Sequence, residues 1–166
     1  MTRGKRALLI LLIVISCVGC DQTTKSVAKS CLPGSSTISF LGDTVRLQYA
    51  TNKGSFLSLG SSLSERWRGL IFTGGVAVLL VAVFIYLLLA SNVHALRVIA
   101  FSFVLGGGLS NLLDRIAYGG DVVDFINLGI GSLRTGIFNA ADVAIMAGML
   151  LLVLGGMRRE KLSIGF

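Results

Sequence analysis

Four long apolar runs joined by polar connections leave this chain of 166 residues little choice but a bundle of membrane-crossing helices. A hydrocarbon core about 30 Å thick takes around 20 apolar residues to cross as a helix. Helices and closed barrels alone satisfy their backbone N–H and C=O groups away from water. The runs fall near 7–27, 69–90, 97–117 and 136–156. Composition agrees, with 54% of residues hydrophobic and 14% charged and a mean hydropathy of +0.83, outside the range of ordinary soluble domains. The length suits one membrane domain over 1–166. The expected fold is an all-α polytopic membrane protein, with four transmembrane helices and a small extramembrane β-sheet between the first two.

The net charge of +7 does not point to nucleic acid, because the basic residues stand scattered at the ends of the apolar runs without an aromatic-rich basic patch. Cys17, Cys20 and Cys31 lack paired spacing, and His94 is the single histidine, so neither a disulfide framework nor a metal site is indicated. No cofactor is expected. Ser26 and Lys29 match the spacing of serine–lysine enzymes, a frequent chance match that here lacks the companion motifs.

The start, Thr2-Arg3-Gly4-Lys5-Arg6 followed by an apolar run, has the parts of a secretory signal, and Val18-Gly19-Cys20 resembles the end of a lipoprotein cleavage box. Against cleavage, Cys17 stands where such boxes usually carry leucine, and the helical pattern continues through Asp21, Lys25 and Lys29. Residues 32–66 are the one sizeable polar stretch. Within it Thr37 to Tyr49 alternates around Gly42-Asp43, which predicts short strands. Ser61 to Phe72 carries Leu63, Trp67, Leu70 and Ile71 at helical spacing, as in an interfacial segment.

Basic residues at both ends (Arg3, Lys5, Arg6; Arg158, Arg159, Lys161) favour cytoplasmic termini for a four-span chain. Asp21, the 32–66 segment, Asp114, Asp124 and Asp142 then converge on the outer surface. A carboxylate within a span costs roughly 2.5–3.5 kcal/mol on insertion scales, so such residues usually face a protein interior or a wet cavity and have a task there. Asn111, Asp114 and Arg115 fall at i, i+3 and i+4 and share one helical face, a turn after Gly106-Gly107-Gly108. The glycines suit close helix packing, or less readily the approach of a substrate. Asn139 and Asp142 share a face at the start of the fourth run. Asp124 lies between the last two runs in Val122-Val123-Asp124-Phe125, read as a short apolar loop that packs back on the helix ends and carries Asp124 toward Asp142. Two carboxylates a few ångströms apart do not both ionise readily, so one acts as acid and the other, as base, activates water. Asp21 and Lys25, four apart, suit a structural ion pair, and Arg115 has the reach to pair with Asp114.

Asp21-Gln22-Thr23-Thr24-Lys25, Asn52-Lys53-Gly54, the run from Gly106 to Arg115, Val122 to Phe125, and Phe138 to Asp142 together resemble, in order, the motifs of the lipoprotein signal peptidases (signal peptidase II), the bacterial intramembrane aspartic peptidases. The resemblance implies that Asp124 and Asp142 are the catalytic pair, acting without a metal, and that Asn52, Gly54, Asn111, Arg115 and Asn139 line the cleft, with Asp114 in support. It implies lipid-modified prolipoprotein substrates, cut just before a diacylglyceryl cysteine, and a multi-pass location in the bacterial inner membrane among membrane lipids. A monomer is expected. Two positions depart from the pattern. Ser110 replaces a glycine and has the bulk to narrow the cleft, and Gly54-Ser55-Phe56 shifts a phenylalanine by one position in the outer segment.

Two other classes fit part of the sequence. A proton-coupled transporter would use the acids as a relay, but requires a polar path through the inner halves of the runs. A lipoprotein anchored by Cys20 would leave the later motifs without a purpose.

Overall fold

The structure is a computed structural model describing residues 1–32, 37–53 and 62–163, with side chains described as far as residue 156. Among these residues four helices form the bundle: α1 (Arg3–Cys31), α2 (Glu65–Leu89), α3 (Ala95–Ala117) and α4 (Ala140–Ser163). Among the described residues, α1, α2 and α3 are long and apolar enough to cross a membrane, while the apolar stretch of α4, Ala140–Gly156, is shorter. α1 runs unbroken through Cys20 and beyond both ends of the apolar run, starting where Thr2 Oγ1 accepts the Lys5 N–H. α2 is a continuous rod whose Gly69–Gly75 section is wound as a π-helix. The surface is inverted relative to a soluble protein. Leu8, Leu11 and Leu12 of α1, Val78 and Leu79 of α2, and Met146 and Leu150 of α4 are all exposed, which is tolerable where lipid tails cover them.

α3 is the central helix: 56% of its apolar window is buried, against 11% for α1 and 6% for α2. Its three consecutive glycines explain how. Successive helical residues point about 100° apart, so each glycine meets a different neighbour. A Cβ on Gly106 would lie 2.6 Å from Cys17 Cβ of α1, one on Gly107 would collide with the Ala141 carbonyl of α4, and one on Gly108 would lie 2.7 Å from Leu80 Cδ2 of α2. Of the two readings of this run, helix packing is the one these contacts support. Ile10, Leu80, Leu87, Val98, Leu105 and Leu112 form an apolar core that runs along the bundle.

A four-stranded antiparallel sheet stands where α1 and α3 end, in the order β1 (Thr37–Phe40), β2 (Val45–Asn52), β3 (Val122–Ile130), β4 (Leu133–Arg134). Val122 to Ile126 belongs to a strand of nine residues and not to a short loop, and half the sheet comes from the α3–α4 connection. β2 and β3 pair from Val45↔Leu128 to Asn52↔Val122, with an irregularity between Leu47 and Ala50. The β1–β2 turn is tied to the second hairpin, since Gly129 N–H donates to Thr44 O at 2.9 Å and Arg134 donates to Asp43 O at 2.8 Å. The Arg46 guanidinium and the Ser39 hydroxyl hold the Asp43 carboxyl well below the usual carboxylate range. The chain turns from α3 into β3 through Gly119 and Gly120 at φ 65° and 105°, values that favour glycine. The fourth run begins helix later than expected, at Ala140, because Phe138 pairs with β3: its carbonyl accepts from Phe125 and Ile126 N–H, and its N–H donates to Ile126 O.

Candidate active site

Sheet register and a helix start bring the two aspartates to one cleft. Asp124 is opposite Ala50 in the β2–β3 ladder, so its side chain shares a face with Asn52, the diagonal neighbour. Asn52 Nδ2 donates to Asp124 Oδ2 at 3.1 Å. Asp142 stands in the first turn of α4. There it forms a reciprocal capping arrangement with Asn139: the Asp142 N–H donates to Asn139 Oδ1 at 2.9 Å, and the Asn139 N–H donates to Asp142 Oδ2 at 3.2 Å. With Asn139 Oδ1 committed to that N–H, its Nδ2 must face the other way, and it donates to Asp124 Oδ1 at 2.7 Å. One asparagine therefore binds both carboxylates. Asn111 of α3 supplies the remaining contact to Asp142, Nδ2 to Oδ1 at 2.9 Å.

Each of the four carboxylate oxygens thus accepts one hydrogen bond from an uncharged donor, and none of these contacts is an ion pair. Burial, and after it the charge of Asp142, pushes Asp124 up to about 6, against the Asn52 and Asn139 hydrogen bonds that draw it down.

The cleft has a volume of about 710 Å³, a size typical of small-molecule and peptide-segment pockets. Its lining combines polar residues, Asn52, Asn111, Arg115, Asp124 and Asp142, with apolar ones, Val76, Val143, Ile145 and Met146. Gly108 lies on the lining too, as do Arg134, Thr135 and Ile137, which sequence reasoning missed. No motif marks those last three, and they reach the cleft because β4 folds back on β3.

Asp114 does not face the cleft. It lies behind β3, where its carboxylate accepts the Val123 N–H at 3.1 Å and Gln22 Nε2 at 2.8 Å and meets Lys25 Nζ at 2.9 Å. The cation placed on Asp114 is thus Lys25 of α1, where the sequence had offered Arg115. Lys25 also meets Asp21 at 2.6 Å, and Asp21 accepts the Ala141 N–H at 2.8 Å, filling a free donor at the start of α4. Ser110 is fully buried and donates to Asp21 Oδ2 at 2.7 Å, so its hydroxymethyl occupies the helix interface and does not narrow the cleft. Gln22 and Ser110 are the working residues the sequence reading left without a role. Lys29 Nζ lies 3.8 Å from the Tyr118 ring centroid. Gly54 and the shifted Phe56 lie outside the described residues.

Residues 13–158 match the family model for signal peptidase (SPase) II. The lipoprotein signal peptidase of Syntrophus aciditrophicus (strain SB) is 30% identical over 158 residues, covering 95% of this chain and 98% of that one. That of Francisella tularensis subsp. novicida (strain U112) is 29% identical over 164 residues, covering 98% and 99%. The fold is that of a bacterial membrane enzyme solved by the in meso method at 2.3 Å resolution, with a TM-score of 0.78 at 22% identity over 98% of this chain and 93% of that chain. With a family match over most of its length and this fold, the chain belongs to the signal peptidase II family.

Proposed function

We propose that this protein is an aspartic endopeptidase that removes signal peptides from diacylglyceryl-modified prolipoproteins, cutting just before the lipidated cysteine. The observation that carries the reading is the convergence of Asp124 and Asp142 on one cleft through the shared Asn139. With one proton between them, the ionised carboxylate takes a proton from water as its oxygen bonds to the scissile carbonyl carbon. The protonated carboxyl gives its proton to the carbonyl oxygen. As the tetrahedral intermediate collapses the C–N bond breaks, the departing nitrogen takes the proton held by one carboxyl, and a hydroxyl of the intermediate gives its proton to the other, which leaves the pair with one proton again. Neutral asparagine donors suit this cycle, because a bound cation would hold both carboxylates ionised.

A cleft lined by both polar and apolar residues matches a substrate that is both peptide and lipid. Four membrane spans, with both termini cytoplasmic and the cleft near the outer face of the inner membrane, set the scissile bond where water reaches it, and a monomer contains every group the reaction needs. The apolar core around Ile10, Leu87, Val98 and Leu105 disfavours a proton path through the bundle, and with it the transporter reading.

The test is cleavage of a diacylglyceryl prolipoprotein peptide by the detergent-purified protein, with the unlipidated peptide as control. The parent is expected to cut before the lipidated cysteine, and Asp124→Asn and Asp142→Asn, both folded, are expected to lose activity by roughly 10³-fold or more. Near-parent activity in either variant sinks the two-aspartate mechanism.

A further inference from the structure

Behind the cleft, α1 contributes a buried ionic cluster that the cleavage chemistry itself does not use. Lys25 is 3% exposed, Asp21 0% and Asp114 2%. A buried pair or triad of this kind is weak evidence for stability, since desolvation offsets most of its Coulombic gain. Its contacts suggest a different purpose. Asp21 holds the N–H of Ala141, the residue before Asp142, and Asp114 holds the N–H of Val123, the residue before Asp124. Lys25 Nζ sits between those two carboxylates, at 2.6 and 2.9 Å. A single ammonium therefore links the backbone on either side of the candidate catalytic pair.

The same ammonium makes a third contact, donating to Asn111 Oδ1 at 2.9 Å. An amide side chain has nearly the same shape whichever way round it lies, so its neighbours decide which end is oxygen. An ammonium only donates. It fixes Asn111 Oδ1 toward α1 and so turns Asn111 Nδ2 onto Asp142. Asn139 Nδ2 also reaches Asn111 Oδ1, at 3.1 Å, but that amide serves Val123 O and Asp124 Oδ1 as well, three acceptors for two hydrogens. Lys25 is thus the one donor dedicated to the orientation of Asn111.

We infer that Lys25 is a positioning residue for the aspartate pair, its ammonium setting the orientation of Asn111 against Asp142 and the spacing of the two backbone segments that carry Asp124 and Asp142. The inference rests on the peptidase reading and assigns its geometry to a residue outside the cleft.

Lys25→Met alone leaves two buried carboxylates facing each other and is expected to lower the melting temperature. The decisive variants are therefore Lys25→Met/Asp21→Asn and Lys25→Met/Asp114→Asn, which keep the cluster's net charge of the parent, while the new amides still accept the Ala141 and Val123 N–H groups. In detergent, with the lipidated peptide, both are expected to melt near the parent and to lose kcat by about 100-fold, the penalty of a small misplacement of reacting groups. KM is expected to change by less than about three-fold, because Lys25 does not line the cleft. A purely structural ion pair would return kcat along with stability, so parent-like kcat in either balanced variant overturns the positioning role and leaves the peptidase reading intact. A loss confined to KM also overturns it. A folded parent that does not cut the lipidated peptide overturns the peptidase reading, and this inference with it.

Discussion

The two ends of the bundle are built from the same helices and held by different forces. Toward the core of Ile10, Leu87 and Val98 the helices pack apolar side chains, and the buried charge there is Arg6, which donates to Leu87 O at 3.1 Å and Ala90 O at 2.5 Å and so closes the end of α2. At the sheet end α1, α3 and α4 meet through Asp21, Lys25, Ser110, Asn111, Asp114 and Asn139, all buried and hydrogen-bonded. Lipid gives no hydrophobic reason to bury polar groups between helices, and such groups persist where they are satisfied and used. On the proposed reading, the apolar end secures the bundle and the polar end carries the chemistry.

Substitutions can separate the two roles. Asn139→Leu strikes the polar end hardest, removing the donor to Asp124 and the α4 cap together. It is expected to lower kcat/KM by about 10³-fold, about 4 kcal/mol of transition-state stabilisation, and a loss under ten-fold in a folded variant would break the assignment of the site to this network. Gly107→Ala pushes a methyl group into the Ala141 carbonyl, a backbone group with no rotamer to yield, and is expected to cost about 3 kcal/mol. Gly108→Ala meets only the movable end of Leu80 and is expected to cost less than about 1 kcal/mol. Equal costs, read from melting in the same detergent, would mean that Gly107 and Gly108 do not pack as described.

A smaller effect separates function from stability. With Asp124 raised to about 6 from an ordinary 3.8, the folded protein keeps a proton that the unfolded chain releases between those values. Stability therefore falls as pH rises through that window and levels off above it. Asp124→Asn is expected to stabilise the protein at pH 7.5 by about 2 kcal/mol, with no gain below about pH 4. In the parent, kcat/KM is expected to decline above about pH 6 as the pair loses its shared proton. A stability gain that is the same at both pH values would show that burial of charge is not its cause. Arg6→Met, at the apolar end, is expected to cost about 1.5 kcal/mol and leave the cleavage rate of the folded protein unchanged. A lower rate would show that the two ends are coupled.

Hydropathy made the helices legible because burial in lipid is a property of each run by itself. Helix ends are a separate matter, set by local contacts: Thr2 caps the start of α1 ahead of its apolar run, and the pairing of Phe138 with β3 holds the start of α4 to Ala140. β3 was harder to see. Val122 to Phe125 is buried on both faces, so it lacks the alternation of a half-buried strand, and its partner β2 lies some seventy residues earlier. The Asp124–Asp142 convergence was readable from charges set in apolar surroundings. Gln22, Ser110 and the cleft-lining Arg134 were not, because their roles depend on which side chain lies opposite in the assembled bundle.

The spacing of Asp21 and Lys25 also bears on how the chain is made. Their partners are far ahead in synthesis: Asn111 follows Lys25 by 86 residues and Ala141 follows Asp21 by 120. When α1 first enters the bilayer neither exists. One helical turn apart, the two charges neutralise each other within α1 itself, so the nascent helix crosses with a private ion pair and later exchanges that self-sufficiency for contacts with α3 and α4.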